Sequence, residues 1–84
     1  MSRPVVLVTG ASRGLGRGVA LSLAPEGYDL AIHYASNRQA AEETVAACRA
    51  AAKSKDQRFV AVPAQLASPE DRAGMFRQIG RAHF

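Results

Sequence analysis

The feature that most constrains the fold of this sequence is a glycine-rich segment that follows a short apolar run. Gly10, Gly14 and Gly16 have the spacing G-x-x-x-G-x-G, and the run Val5–Val8 precedes them. A short apolar run rich in β-branched residues is typical of a strand buried on both faces. Glycines after such a strand allow a tight turn and a close approach of the backbone to a phosphate. The segment therefore predicts a strand, an anion-binding loop and a helix.

The rest of the chain alternates between helical and strand patterns. Leu15, Val19 and Leu23 have the spacing of an amphipathic helix that closes near Gly27, and Pro25 should end or bend its last turn. Further elements follow in the order strand, helix, strand, helix, at 29–34, 38–52, 59–62 and from 69 onward. Helical connections between strands imply parallel pairing. We therefore expect an α/β fold, β-α-β-α-β-α, forming half of a doubly wound parallel sheet with strand order 3-2-1.

Capping signals precede the second and third helices. Ser36-Asn37-Arg38-Gln39 resembles a capping box, and Ser68 followed by Pro69 predicts a capped start with proline in the first turn. The second helix should bury a stripe of small or apolar residues, namely Ala41, Val45, Cys48 and Ala52. The third helix carries Met75, Phe76 and Ile79, without a stop signal before Phe84.

Composition and charge exclude several classes of function. The 84 residues carry eleven Lys and Arg against seven Asp and Glu, and the cations are scattered, which only weakly favours nucleic-acid binding. The apolar run before Thr9 is too short for a signal peptide or a membrane span. One cysteine cannot form an internal disulfide, and no Cys/His cluster has metal-ligand spacing. We expect a cytoplasmic protein that binds neither metal, membrane nor nucleic acid.

The end of the second strand indicates which nucleotide the loop binds. The loop lacks the Gly-Lys-Ser/Thr ending of a triphosphate-binding loop, so a dinucleotide is favoured. An NAD site would place an acid about 20 residues after the glycines, but no acid occurs there before Glu42. Arg13 and Arg38, with the Ser36 hydroxyl and the Asn37 amide, could instead bind a 2′-phosphate, which favours NADP. Alternatively, Arg38 is a solvated first-turn residue and Ser36 only a helix cap.

The segment Thr9-Gly10-Ala11-Ser12-Arg13-Gly14-Leu15-Gly16 resembles the cofactor loop of short-chain dehydrogenases/reductases. Residues 26–32, 38–43 and 68–71 resemble the NADP-dependent 3-oxoacyl carrier-protein reductases of that family. The resemblance implies a Rossmann fold, hydride transfer between NADP(H) and a carbonyl or alcohol, and dimers or tetramers. It puts Gln65 where the family commonly has an adenine-binding Asp. The expected cofactor-binding residues are Gly10, Ser12, Arg13, Gly14, Leu15, Gly16, Tyr34, Ser36, Asn37, Arg38, Gln65 and Leu66.

The family's catalytic residues have no match in this sequence. Its Asn-Asn-Ala-Gly segment, catalytic Ser and Tyr-x-x-x-Lys pair are absent, and neither Tyr28 nor Tyr34 has a lysine four residues on. We assign no catalytic residue, and we interpret His33, His83 and Cys48 as structural. Residues 1–84 are expected to form a partial dinucleotide-binding domain, truncated before its fourth strand.

A missing fourth strand would leave the apolar strand Val5–Val8 at an open edge of the sheet. Such an edge predicts aggregation, a homo-oligomer or a partner chain. An alternative function is therefore a non-catalytic nucleotide-binding or protein-interaction module that uses this edge. A methyltransferase-like glycine loop is a third alternative, but it would require an Asp or Glu at the end of the second strand, and Tyr34 occupies that position.

Overall fold

Strands and helices alternate along the chain, as the apolar patterns predict. The computed structural model describes residues 4–12 and 14–82. Within them the elements are β1 (Val5–Val8), α1 (Gly14–Leu23), β2 (Asp29–Tyr34), α2 (Arg38–Ala51), β3 (Phe59–Pro63) and α3 (Pro69–Arg81). The predictions that concern Arg13, His83 and Phe84 lie outside the described residues.

The three strands form one parallel sheet in the order β1-β2-β3. β2 therefore lies in the centre; listed from the edge that β3 forms, the same adjacency reads 3-2-1. Val8 pairs with Ile32, and Ile32 pairs with Ala61, which sets the register across the sheet. The parallel arrangement brings the carboxyl ends of all three strands to one edge of the sheet.

Helices cover both faces of the sheet, as in a Rossmann-like α/β fold. Leu30 and Ile32 of β2 are fully buried in a core cluster that also contains Ala20 of α1 and Val45 of α2. On the opposite face, a smaller cluster joins the sheet to Met75 of α3. Because side chains alternate along a strand, β2 contributes to both clusters. All six of its residues are buried.

Pro25 ends the first helix, as predicted. The α-helix stops at Leu23 and continues as a 3₁₀ turn, Ala24–Glu26. Proline has no backbone N–H to donate, and at the start of such a turn no hydrogen bond from that position is required. Gly27 then adopts a left-handed conformation with φ of 96°, and its amide donates to the Ala24 carbonyl at 3.2 Å. The helical segment therefore ends near this glycine, as predicted.

The capping prediction for α2 is wrong in its residue. Asn37, not Ser36, is the N-cap, and its Oδ1 accepts from the Ala40 amide at 3.0 Å. Both residue types can cap a helix, and the structure starts α2 one residue later than a Ser36 cap requires. The predicted buried stripe is confirmed for Ala41, Val45 and Cys48; Thr44 joins it, while Ala52 is only partly buried.

The third helix begins as predicted and packs less fully. Ser68 is its N-cap, and its hydroxyl accepts from the Asp71 amide at 3.2 Å. Met75 is buried and Ile79 partly buried, but Phe76 is 59% exposed because it lies on the face turned away from the sheet. Gly80 does not end the helix, which runs to Arg81. Among the described residues, no helix is both long and apolar enough to cross a membrane.

Candidate functional site

The candidate site lies at the carboxyl edge of the sheet, where three loops meet. They are the β1–α1 loop (9–13), the β2–α2 loop (35–37) and the β3–α3 loop (64–68). In open parallel sheets, ligands bind at this edge because the loops there converge and helix N-termini point toward it. Every described residue of the expected cofactor set lies in one of these loops or in an element that borders it.

Two glycines of the β1–α1 loop adopt a conformation that other residues rarely do. Gly10 has φ of 61° and Gly14 has φ of 65°. A Cβ on either residue would have no other atom within 4 Å, so the backbone conformation, not crowding, requires glycine here. The space in front of Gly14 is open, which leaves the start of α1 accessible to a ligand.

Gly16 is required for a different reason. A Cβ on Gly16 would lie 2.3 Å from the carbonyl oxygen of Gly10 and 2.8 Å from its carbonyl carbon. The sequence predicts that Gly16 lets the helix approach the sheet; the close approach is to the loop backbone just beyond β1. The loop therefore folds back against the first turn of α1.

The first turn of α1 is suited to bind an anion. The helix begins at Gly14, and its first turn contains no acidic residue. The leading amides of a helix lack carbonyl partners within the helix, and the helix dipole makes this end positive. Leu15, in the same turn, is 88% exposed, so a large apolar side chain lies beside the amides of this turn.

Hydrogen bonds from β2 and α2 hold the β1–α1 loop in place. The Ala11 amide donates to the His33 carbonyl at 3.0 Å, and the Gly10 amide donates to Nδ1 of the His33 ring at 3.0 Å. The Thr44 hydroxyl lies 3.1 Å from the Ser12 carbonyl oxygen and 3.2 Å from the Ala40 carbonyl oxygen, so these two acceptors share its one hydrogen. Sequence reasoning missed Thr44 and gave His33 no specific contact; the one available signal is a polar residue in an otherwise apolar buried pattern.

The β2–α2 loop presents polar groups next to this site. Ser36, Asn37 and Arg38 are exposed. Oδ1 of Asn37 accepts the capping hydrogen bond of α2, so Nδ2 of the same side chain is the group that can donate to a ligand. Tyr34, also expected to bind the cofactor, is only 8% exposed and belongs to the core cluster, so its side chain packs in the core beside this loop.

The β3–α3 loop forms the third wall. Gln65 donates from Nε2 to the Ala35 carbonyl at 3.1 Å, which ties this loop to the β2–α2 loop and leaves Oε1 as the acceptor of that side chain. Leu66 is partly exposed, and Arg72 donates to its carbonyl. A cleft of about 390 Å³ opens beside Gln65 and is lined by Glu70 and Asp71. These carboxylates would repel a phosphate, so this cleft is less suited to an anion than the first turn of α1 is.

Groups outside this edge offer little chemistry. In residues 4–12 and 14–82, no group of three or more His, Cys, Asp and Glu side chains could hold a metal ion. Cys48 is fully buried, and burial raises the pKa of its thiol, an effect that the nearby Arg17 partly opposes. A raised pKa keeps the thiol protonated and unreactive, in agreement with the interpretation of Cys48 as a structural residue.

Comparison with known proteins identifies the family. The model of the short chain dehydrogenase family matches residues 4–83. The 3-oxoacyl-[acyl-carrier-protein] reductase FabG of Staphylococcus aureus (strain Mu50) is 41% identical over 73 residues, which are 87% of this chain and 28% of the reductase. The chain thus spans little more than a quarter of the length of that relative.

Solved structures agree with this match. The promiscuous reductase LugOII, which catalyses keto-reduction at C1 during lugdunomycin biosynthesis, superposes with a TM-score of 0.76 and 43% identity over 88% of this chain and 28% of its own. The landomycin C-6 ketoreductase LanV, solved with bound NADP and rabelomycin, has a TM-score of 0.76 and 36% identity over 88% of this chain and 29% of its own. Given this match over nearly all its residues, together with the glycine loop at the carboxyl edge of a parallel sheet, the chain belongs to the short-chain dehydrogenase family.

Proposed function

We propose that this chain binds NADP(H) at the carboxyl edge of its sheet, with the pyrophosphate on the first turn of α1. The observation that carries the proposal is the β1–α1 loop itself. Gly10 and Gly14 are left-handed with open space where a Cβ would stand, and Gly16 lies against the Gly10 backbone, so the loop leaves room for a ligand at the start of α1. Backbone amides in that arrangement favour a phosphate. Ser12 and Leu15 complete the part of the site that this loop forms.

Preference for the 2′-phosphate is assigned to the β2–α2 loop. Ser36, Asn37 and Arg38 are exposed there, and none of them is acidic. A guanidinium and two neutral donors stabilise a phosphate, whereas a carboxylate would repel it. Arg13 is proposed as a second cation at this end. The bound NADP in the related ketoreductase LanV supports the choice of cofactor.

The adenine is proposed to lie against Gln65 and Leu66. Oε1 of Gln65 can accept a hydrogen bond from the adenine amino group, and the exposed part of Leu66 offers an apolar contact. A neutral acceptor binds this group less strongly than a carboxylate would. The base end of the site is therefore the weaker end, and the phosphates supply most of the affinity.

The whole protein is proposed to be a cytoplasmic reductase that transfers hydride between NADP(H) and a carbonyl or alcohol, with a 3-oxoacyl thioester as the candidate substrate. The likeness to FabG supports this, although the chain spans only 28% of that reductase. Residues 1–84 would then be the cofactor-binding part of a larger domain. The bound cofactor would supply the hydride, and this chain's residues would bind and orient it; no residue here is assigned to catalysis.

A second candidate is a non-catalytic nucleotide-binding or interaction module. The observation that favours it is the exposure of three large apolar side chains, Val5 of the edge strand β1 and Leu15 and Val19 of α1. An open edge strand can pair with a second copy of the chain or with a partner chain. This candidate predicts concentration-dependent association of the chain without a requirement for nucleotide.

Titration of the purified chain with NADPH and NADH, followed by nicotinamide fluorescence, tests the proposal. We expect NADPH to bind at least tenfold more tightly, because a charge-assisted contact to the 2′-phosphate stabilises by about 1.5–3 kcal/mol. Equal affinities would contradict the assignment of Arg38 and its neighbours. Binding of neither nucleotide, with association seen by light scattering, would favour the interaction module.

A further inference from the structure

We propose that His33 is a positioning residue that fixes the distance between the phosphate-binding loop and the base-binding loop of the site. The proposal rests on the NADP(H) site described above. His33 lies near the end of β2, and its side chain is 4% exposed. Its ring contacts both neighbouring loops: Nδ1 accepts from the Gly10 amide at 3.0 Å, and Nε2 lies 2.9 Å from the Ala64 carbonyl oxygen.

These two contacts require one protonation state of the ring. The Gly10 amide is a donor, so Nδ1 must be unprotonated, and the Ala64 carbonyl is an acceptor, so Nε2 must carry the hydrogen. Only the neutral tautomer with a proton on Nε2 satisfies both partners. The doubly protonated ring would lose the bond from Gly10, and the other neutral tautomer would lose both bonds.

The place of β2 in the sheet explains why this residue can join the two loops. β1 and β3 are not neighbours, since β2 lies between them. The loops that follow β1 and β3 therefore need a bridge, and the ring of His33 spans from one to the other. The backbone supports the bridge on both sides: the Ala11 amide donates to the His33 carbonyl at 3.0 Å, and the Ala64 amide donates to the Tyr34 carbonyl at 3.1 Å.

The bridge acts on the two ends of the proposed ligand. Gly10 belongs to the loop that leads to the phosphate-binding turn of α1, and Ala64 precedes Gln65, the proposed acceptor for adenine. A dinucleotide must satisfy both ends at once, so their separation has to match the ligand before it binds. A rigid aromatic ring with two hydrogen bonds holds that separation better than a flexible side chain does, and preorganisation of this kind increases affinity.

The first test needs no variant. In the ¹⁵N NMR spectrum of the chain with labelled histidine, we expect the His33 ring to have a proton on Nε2 and none on Nδ1, with a scalar coupling between Nδ1 and the Gly10 amide. A proton on Nδ1 would overturn the proposal, because Gly10 could not then donate to it. This measurement does not depend on cofactor binding, so it tests the bridge even if the proposed function fails.

The second test uses two variants that separate the bonds. His33→Asn retains an acceptor near the position of Nδ1 but has no group at the position of Nε2, whereas His33→Phe lacks both. We expect NADPH affinity to fall about tenfold in His33→Phe, the effect of one or two lost hydrogen bonds, and by less in His33→Asn. The Gly10 amide should exchange with solvent faster in His33→Phe than in His33→Asn.

Gln57 supplies the matched control. It is also buried, and its Nε2 also makes two hydrogen bonds to another segment, donating to the Ala24 carbonyl at 2.9 Å and to the Tyr28 carbonyl at 2.8 Å in the α1–β2 connection, but it precedes β3 at the opposite end of the sheet. Gln57→Leu should lower stability without changing NADPH affinity. If it weakens binding as much as His33→Phe, or if His33→Phe binds like the unaltered chain, the positioning role is refuted. Failure of the unaltered chain to bind NADPH would instead refute the proposed function.

Discussion

Replacement of Gly16 by alanine should disrupt the β1–α1 loop, and distances in the structure allow the cost in stability to be estimated. The added Cβ would lie 2.3 Å from the Gly10 carbonyl oxygen and 3.1 Å from the Cα of Ala11. These are backbone atoms, so no side-chain rotation can relieve the clash. Either the loop or the first turn of α1 must move.

The cost can be separated from the effect of alanine on the helix. Overpacking of this kind typically costs about 1–3 kcal/mol, while alanine in place of glycine within a helix stabilises by up to about 1 kcal/mol. Gly18 lies in the same helix, and a Cβ there would meet nothing within 4 Å. Gly18→Ala therefore reports the helix effect alone, and the difference between the two variants isolates the clash.

Urea denaturation of both variants, with and without NADPH, measures this difference. We expect Gly16→Ala to be about 1–3 kcal/mol less stable than Gly18→Ala, and its NADPH affinity to fall at least tenfold because the displaced loop no longer presents its amides. At the same NADPH concentration, ligand-induced stabilisation should be smaller in Gly16→Ala than in Gly18→Ala, by up to about 1.4 kcal/mol for each tenfold loss of affinity. Equal stability and equal affinity in the two variants would refute the close approach of Gly16 to Gly10.

Three further predictions concern other parts of the chain. Arg38→Ala should weaken NADPH binding about 10- to 100-fold and leave NADH binding nearly unchanged, since only NADPH carries the 2′-phosphate; fluorescence titration measures both, and parallel losses would contradict the assignment. Thr44→Val, which keeps the shape of the buried side chain, should lower the unfolding free energy by about 0.5–1.5 kcal/mol and loosen the loop, because the hydroxyl bonds to Ser12 and Ala40 are lost; urea denaturation measures this, and unchanged stability would contradict it. Because burial raises the pKa of Cys48, the folded chain holds the thiol proton more tightly than the unfolded chain does. As the pH rises above the ordinary thiol pKa, the unfolding free energy should therefore fall, by at most about 1.4 kcal/mol per pH unit. This pH-dependent contribution should be absent in Cys48→Ala.

Local patterns predicted the elements because several signals agreed at each one. β2 is buried along its whole length and has a continuous apolar centre at 30–32, so its bounds of Asp29–Tyr34 match those expected from the sequence. The start of α3 is equally clear, since Ser68 and Pro69 act together. At α2 the signal was ambiguous: Ser36 and Asn37 are both good caps, and backbone geometry selects Asn37.

Contacts between distant segments could not be predicted in the same way. Thr44 lies 32 residues from Ser12 in sequence, and only the packing of α2 beside the β1–α1 loop brings its hydroxyl to the Ser12 carbonyl. His33 similarly obtains its partners from both neighbouring loops. Sequence reasoning recognised the site from residues that follow one another in the chain, while the groups that hold the site together come from other elements.

The most direct test of the central claim is an amide-shift map of the ¹⁵N-labelled chain as NADP⁺ is added. We expect the largest changes at Gly14, Leu15 and Gly16, with a second set at residues 34–38 and 65–66. Changes that are absent, or that centre on Gln57 and the opposite end of the sheet, would contradict a phosphate-binding site at the start of α1.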